Sequence, residues 1–225
     1  LRPLFSAVFA LLFQLSGRSA ALPLHVFSIA LHISASFLIF LIFLRISMRP
    51  VLSMFAGFIF LVCPQHSMSI GWISTATDLI AVNLINLSLY LHFDSRLDRP
   101  VSSEINNGKA IPFLTVSQIQ TPKFLLSNLF LGLAFFGKET AVIAPLIIIL
   151  FEIFFLSQED GILNSELFRK KCILFFHNWR YWIPGLVLLI SYLVLYKNLG
   201  FGTDNLMYTD PMKEPMKFLS SSGIR

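Results

Sequence analysis

His66, Asp78 and the adjacent Lys138 and Glu139 are the side chains whose type and setting suit work on an anion or a proton at a membrane surface. His66 lies in "CPQHSMSIGWISTATD" at 63–78, a polar break between two apolar runs. An imidazole titrates near neutrality, so it can move a proton or, when charged, meet a phosphate. The plainer reading is an interfacial ring half in water. Trp72 in the same stretch reads as a headgroup-level anchor. Asp78 opens the next apolar run, where a carboxylate interacts favourably with a helix macrodipole, with Thr75 or Thr77 as the cap. Lys138 and Glu139 place opposite charges between apolar runs. Charges at membrane depth face a cavity or each other. They form either a local ion pair at a helix break or a lysine that neutralises an anionic substrate and is oriented by a carboxylate.

Other polar residues suit packing. His25 and His32 are seven apart and share one helix face. Side chains of this kind join helices through hydrogen bonds. Asn83, Asn86 and Glu152 invite the same account, with Glu152 reaching the interface at the end of its run.

The elements that must position these groups are set by composition. Of 225 residues, 56% are hydrophobic, 13% are charged and 24 are phenylalanine. Mean hydropathy is +0.74. Soluble domains carry roughly 25% charged residues, so this chain has too little charge to coat a soluble surface. A membrane span needs roughly 17–25 mostly apolar residues. The pattern predicts an all-α, polytopic transmembrane helical bundle with about six spans. They are expected near 24–44, 51–62, 79–93, 123–137, 141–156 and 181–199. Residues 4–16 are apolar but short and read as an interfacial helix. Residues 94–122 and 157–180 read as charged loops, and 200–225 as a polar tail, all within one membrane domain.

Lysine and arginine mark cytoplasmic loops. Placing Arg45 and Arg49 inside also puts 94–122 and 157–180 inside by alternation, with most of the basic residues. The breaks at 63–78 and 138–140 then share the external face. The net charge of +5 follows from these loops and is no sign of nucleic acid. Cys63 and Cys172 fall on opposite sides, so no bridge between them is expected, and two cysteines without CxxC give no zinc spacing. No GxSxG, Walker A or Gly-rich dinucleotide loop occurs. The opening "LRPLF" and the ending "SSSGIR" read as those of a piece of a longer protein.

Four stretches in order resemble the GT-C superfamily of polytopic glycosyltransferases, above all protein O-mannosyltransferase-like members, including those with tetratricopeptide tails. "LRPLFSAVFALLFQLSG" is similar to the family's Arg-Pro-Leu entry, and "LHVFSIALH" to a Phe-His-x-x-Asn-x-x-x-His helix with Ser28 at the Asn position. "CPQHSMSIGWISTATDLIAV" resembles His-Pro-x-His-x-Glu-x-x-x-Trp-Ile-x-x-Arg-x-Asp-Leu, and "FGKETAVIAPLIIILFE" a Ser-Lys-Glu-Thr-Ala segment. The resemblance covers roughly residues 1–156. It implies transfer of a sugar, mannose or another hexose, from a polyprenyl-phosphate donor to a protein, glycan or lipid acceptor at the external or luminal face. The membrane would be a bacterial inner membrane or the endoplasmic reticulum. Arg2, His66, Lys138 and Glu139 would bind substrate, with Trp72, Asp78, His25 and His32 in supporting roles. No metal ligands are assigned, although a divalent metal serves some relatives. The catalytic carboxylate is expected in a loop before Leu1, so residues 1–225 alone are expected to be inactive. Cys63, Met68 and Ala76 stand where the family carries His, Glu and Arg. The rival readings are a transporter or flippase-like protein for a lipid-linked or anionic solute, and a non-catalytic relative.

Overall fold

The computed structural model describes residues 3–16, 21–64, 71, 76–97, 121–155 and 179–199. In chain order the helices are α1 (Pro3–Ser16), α2 (Ala21–Ser47), α3 (Pro50–Val62), α4 (Ala76–Arg96) and α5 (Thr121–Gly137). A 3-10 turn (Glu139–Val142), α6 (Ile143–Phe155) and α7 (Trp179–Asn198) follow. No strand occurs among the described residues, so the fold is all-α. The apolar stretches 24–44, 51–62, 79–93 and 123–137 lie within α2, α3, α4 and α5, while 141–156 begins in the 3-10 turn and overlaps α6, and 181–199 overlaps α7. Three of them, α2, α4 and α7, are long and apolar enough to cross a membrane. The helices α3 and α5 are apolar but shorter. At 1.5 Å per residue the 13 residues of α3 reach only about 20 Å, less than a hydrocarbon core of about 30 Å.

The helix α4 runs past residue 94, where a loop is expected from the sequence, and residues 98–120 lie outside the described residues. Asp94, Ser95 and Arg96 belong to the last turn of α4 and are buried. Polar composition marks them as loop, but partners on other helices satisfy their charges and keep them helical. At the far side of that loop, Thr121 and Pro122 already form the first turn of α5. Proline is tolerated there because the first amides of a helix have no intrahelical acceptor.

The bundle is organised around α4. Of its most apolar window 56% is buried, against 28% for α2 and 11% for α7. It packs on α2 along one side and α5 along the other, with α6 and the 3-10 turn completing its surroundings. Ile85, Leu89 and Phe93 of α4 meet Leu131 and Phe135 of α5 and Ile148 and Phe151 of α6 in a single core.

Polarity is inverted relative to a water-soluble bundle. Leu22, Val51, Met54 and Ile59 point outward at 63–73% exposure, whereas Ser28, His32, Ser88, His92, Arg96 and Glu152 are buried. A continuous apolar exterior marks a membrane or protein contact surface. In hydrocarbon, polar side chains turn inward to find partners.

Helix α3 folds back on α2 through a turn at Met48, whose φ is 54°. The Met48 amide donates to Leu44 O at 3.1 Å, closing the left-handed cap, and Pro50 starts α3. Close approach follows from small residues. Ser36 donates to the Gly57 carbonyl at 2.7 Å, and a Cβ at Gly57 would lie 3.1 Å from Phe40 Cβ. His32 Nε2 donates to Leu61 O at 3.0 Å and its ring stacks on Phe60. That hydrogen bond ties α2 to α3. His25, seven residues earlier on α2, is half-buried.

Candidate functional site

Charged side chains gather at the two ends of α4, and the ends differ in construction. At the N-terminal end, Asp78 lies in the first turn. Gly137, at the end of α5, packs against Ala81, with a Cβ placed there 3.6 Å from the Ala81 Cα. That contact sets Lys138 beside the start of α4. The backbone at Lys138 is extended (φ −158°, ψ 148°), which ends α5 and allows the turn into Glu139–Val142. The Lys138 amide still donates to Ala134 O at 3.1 Å, and its carbonyl accepts from Ala141 at 3.1 Å. The side chain is directed to Asp78 Oδ1, with which it forms an ion pair. Thr77 Oγ1 lies 3.3 Å from the same oxygen. The pair is open to the surroundings, with side-chain exposures of 20% for Lys138 and 32% for Asp78.

Lys138 and Asp78 are therefore brought together across sixty positions of sequence. Glu139 is exposed at the start of the 3-10 turn, and Asp78 places a carboxylate on Lys138. Arg2, His66 and Trp72 lie outside the described residues, as does Met68. Ala76, where the resembled families carry Arg, is buried at the start of α4. Ser28, at the family's Asn position, donates to Leu24 O within its own helix. Cys63 carries a free thiol at the end of α3, and Cys172 lies outside the described residues.

At the C-terminal end of α4 two buried clusters share one turn. His92 Nε2 donates to Glu152 Oε1 at 3.1 Å. Arg96 holds both oxygens of that carboxylate, Nε to Oε1 at 3.0 Å and Nη2 to Oε2 at 2.9 Å. The Arg96 guanidinium also lies over the Tyr181 ring of α7, 3.6 Å from its centroid. On the other side of the turn Asp94 takes two cations, Arg45 Nε of α2 at 2.8 Å and Lys123 Nζ of α5 at 2.5 Å. Arg45 also donates to the Leu97 carbonyl.

Glu152 is 1% exposed, enclosed by protein in the last turn of α6. His92 and Arg96, four apart, present one helix face to it, while Asp94 between them faces away. The sequence carried a signal for this cluster: a lone glutamate deep in an apolar run must find a partner. It gave no indication of which cation would serve. The packing roles of the asparagines divide. Asn83 donates to Leu31 O of α2 at 2.8 Å, whereas Asn86 Nδ2 is buried without a hydrogen-bond partner among the described residues.

Among the described residues no three His, Cys, Asp or Glu side chains are arranged to hold a metal ion. Comparison with family models, with curated proteins and with solved structures finds no match for this chain.

Proposed function

We propose that this chain belongs to a membrane glycosyltransferase of about six spans that moves a hexose from a polyprenyl-phosphate donor to a protein, glycan or lipid acceptor. The observation that carries this reading is Lys138, an accessible ammonium held at a helix break by Asp78. It belongs to the "FGKETAVIAPLIIILFE" stretch that resembles the family's Ser-Lys-Glu-Thr-Ala segment. Departure of a polyprenyl phosphate leaves negative charge on its oxygens. A cation already in position stabilises that charge more in the transition state than in the ground state. Asp78 keeps Lys138 in place between turnovers, and the incoming phosphate shares or takes over the ammonium. Arg2 and His66 are proposed as further phosphate contacts, and Glu139 as a contact to donor or acceptor. The active face is the external or luminal one.

The test is sugar transfer by the full-length protein from a polyprenyl-phosphate-linked mannose. Lys138→Met is expected to lower kcat by about a hundred-fold, the usual effect of losing one charge-stabilising donor. Lys138→Arg should retain a larger share. Transfer at the parental rate by Lys138→Met would overturn the reading.

A transporter remains the second reading, because ionisable groups inside a bundle often mark a pathway. The buried charges at Asp94, Arg96 and Glu152, with His92 beside them, favour it. Their place in the last turns of α4 and α6, away from mid-depth, favours the enzyme.

A further inference from the structure

The ion pair at the N-terminal end of α4 has unused bonding capacity on both partners. Lys138 Nζ and Thr77 Oγ1 both donate to Asp78 Oδ1, the hydroxyl at 3.3 Å. Asp78 Oδ2 accepts no hydrogen bond and makes no ion pair among the described residues. An ammonium carries three donors, and a carboxylate oxygen two lone pairs. Lys138 directs one donor to Oδ1, so the others are available, and Oδ2 keeps its whole capacity as an acceptor. Thr77 is buried, whereas the Lys138 and Asp78 side chains are open to the surroundings. The carboxylate is held through one oxygen and offered through the other.

That arrangement narrows the chemistry of the ligand. The pair is neutral as a unit, so a bare anion is attracted by Lys138 and repelled by the adjacent Asp78. A ligand with a hydrogen-bond donor beside its anionic group engages both partners without separating them. A hydroxyl meets this need without adding charge, whereas an ammonium would stand against Lys138. We propose that Asp78 Oδ2 accepts a hydroxyl of the donor sugar while Lys138 binds the neighbouring phosphate, so that Asp78 selects a glycosyl phosphodiester over a phosphate without a sugar. The inference rests on the sugar-transfer reading and adds a specificity-determining residue to it. Charge-assisted bonds of about 2.5–2.9 Å at each partner place the phosphate and the hydroxyl within one sugar unit of each other. Thr77 helps to keep Oδ1 on Lys138 and so leaves Oδ2 for the sugar. After transfer the polyprenyl phosphate has no sugar hydroxyl, loses the bond to Asp78 and is held by its phosphate alone.

The test is equilibrium binding of polyprenyl phosphodiesters to the full-length protein in nanodiscs, comparing a mannosyl with a methyl ester of the same chain. Both esters carry the same charge, and only the first has sugar hydroxyls. The parent is expected to bind the mannosyl diester about ten-fold tighter, the usual gain from a hydrogen bond to a charged group. Asp78→Ala should cut that preference to about two-fold or less, while the methyl diester binds as well as before or better. Retained binding of the methyl diester also shows that the variant is folded. Lys138→Met should weaken both diesters. Equal binding of the two by the parent, each weakened by Lys138→Met, would overturn this inference and leave the sugar-transfer reading standing. Binding of neither, or binding indifferent to Lys138→Met, would overturn both. A preference that survives Asp78→Ala would place the hydroxyl on another residue and overturn the role of Asp78. Tighter binding of a phosphoethanolamine diester than of the mannosyl one would assign Oδ2 to an ammonium instead.

Discussion

The two ends of α4 hold charge in opposite ways. At the Asp94 end, five charged side chains and one histidine from α2, α4, α5 and α6 form two paired clusters, with Arg96 and Glu152 almost fully buried. At the Asp78 end one lysine meets one aspartate, and both remain accessible. A buried charge without its partner is strongly destabilising, whereas an exposed pair contributes little. The Asp94 end therefore fixes the fold, and the Asp78 end leaves its charges free for exchange with a ligand. A site that must accept and release an anion belongs at the second kind of end.

The largest effect is expected at Glu152. Glu152→Leu strands Arg96 in the core and should lower unfolding stability by about 3–5 kcal/mol, read from equilibrium unfolding in mixed micelles. The double variant Arg96→Met with Glu152→Leu removes both charges and should recover most of that loss, because well-packed apolar replacements of a buried pair are often neutral or better. A single variant as stable as the parent would break the contrast between the ends. Asp94→Asn comes next. It leaves Arg45 and Lys123 with a neutral acceptor and should be destabilising by about 2 kcal/mol in the same assay. Lys123→Met should do less, since that side chain is already 34% exposed.

These pairings explain what the sequence could and could not disclose. Helices follow from runs of apolar residues, a local property, and the apolar segments at 24–44 and 79–93 lie within α2 and α4. The sequence places the end of α4 too early because "DSR" is polar, and polarity near a helix end reads as loop. Its burial depends on Glu152, Arg45 and Lys123, residues 29 to 56 positions away. No periodicity within α4 encodes those partners. The i, i+4 spacing of His92 and Arg96 does show that the two share a face, so half of the cluster was present in the pattern. At the other end Lys138 and Glu139 are neighbours in sequence, and Lys138 also pairs with Asp78, sixty positions away. The extended backbone at Lys138 turns its side chain toward α4, and adjacency in sequence gives no hint of that turn.

A smaller effect probes how the buried end is closed. Tyr181 of α7 covers Arg96 with its ring face, 3.6 Å from the guanidinium carbon to the ring centroid. Tyr181→Leu keeps an apolar cover but removes the cation–π attraction, and should be destabilising by about 1 kcal/mol. Tyr181→Phe should be close to neutral. If Phe and Leu behave alike, the ring acts only as apolar cover, and α7 is joined to the cluster by packing alone.

The smallest stability change is expected where the functional change is largest. Lys138→Met and Asp78→Asn each break an ion pair that the surroundings reach, so each should shift unfolding by less than about 1 kcal/mol. Raising salt to about 1 M, where the screening length falls to about 3 Å, should shrink even that difference. The Glu152 variant should be nearly indifferent to salt, because its charges lie beyond the reach of mobile ions. The two positions at the accessible end should also differ from each other in ligand experiments. Lys138→Met removes the cation and should weaken capture of a polyprenyl phosphate. Asp78→Asn removes only the competing carboxylate and should hold that capture level or strengthen it. Equal weakening by both variants would mean that the ligand requires the intact pair, with Asp78 positioning Lys138 during binding as well as between turnovers.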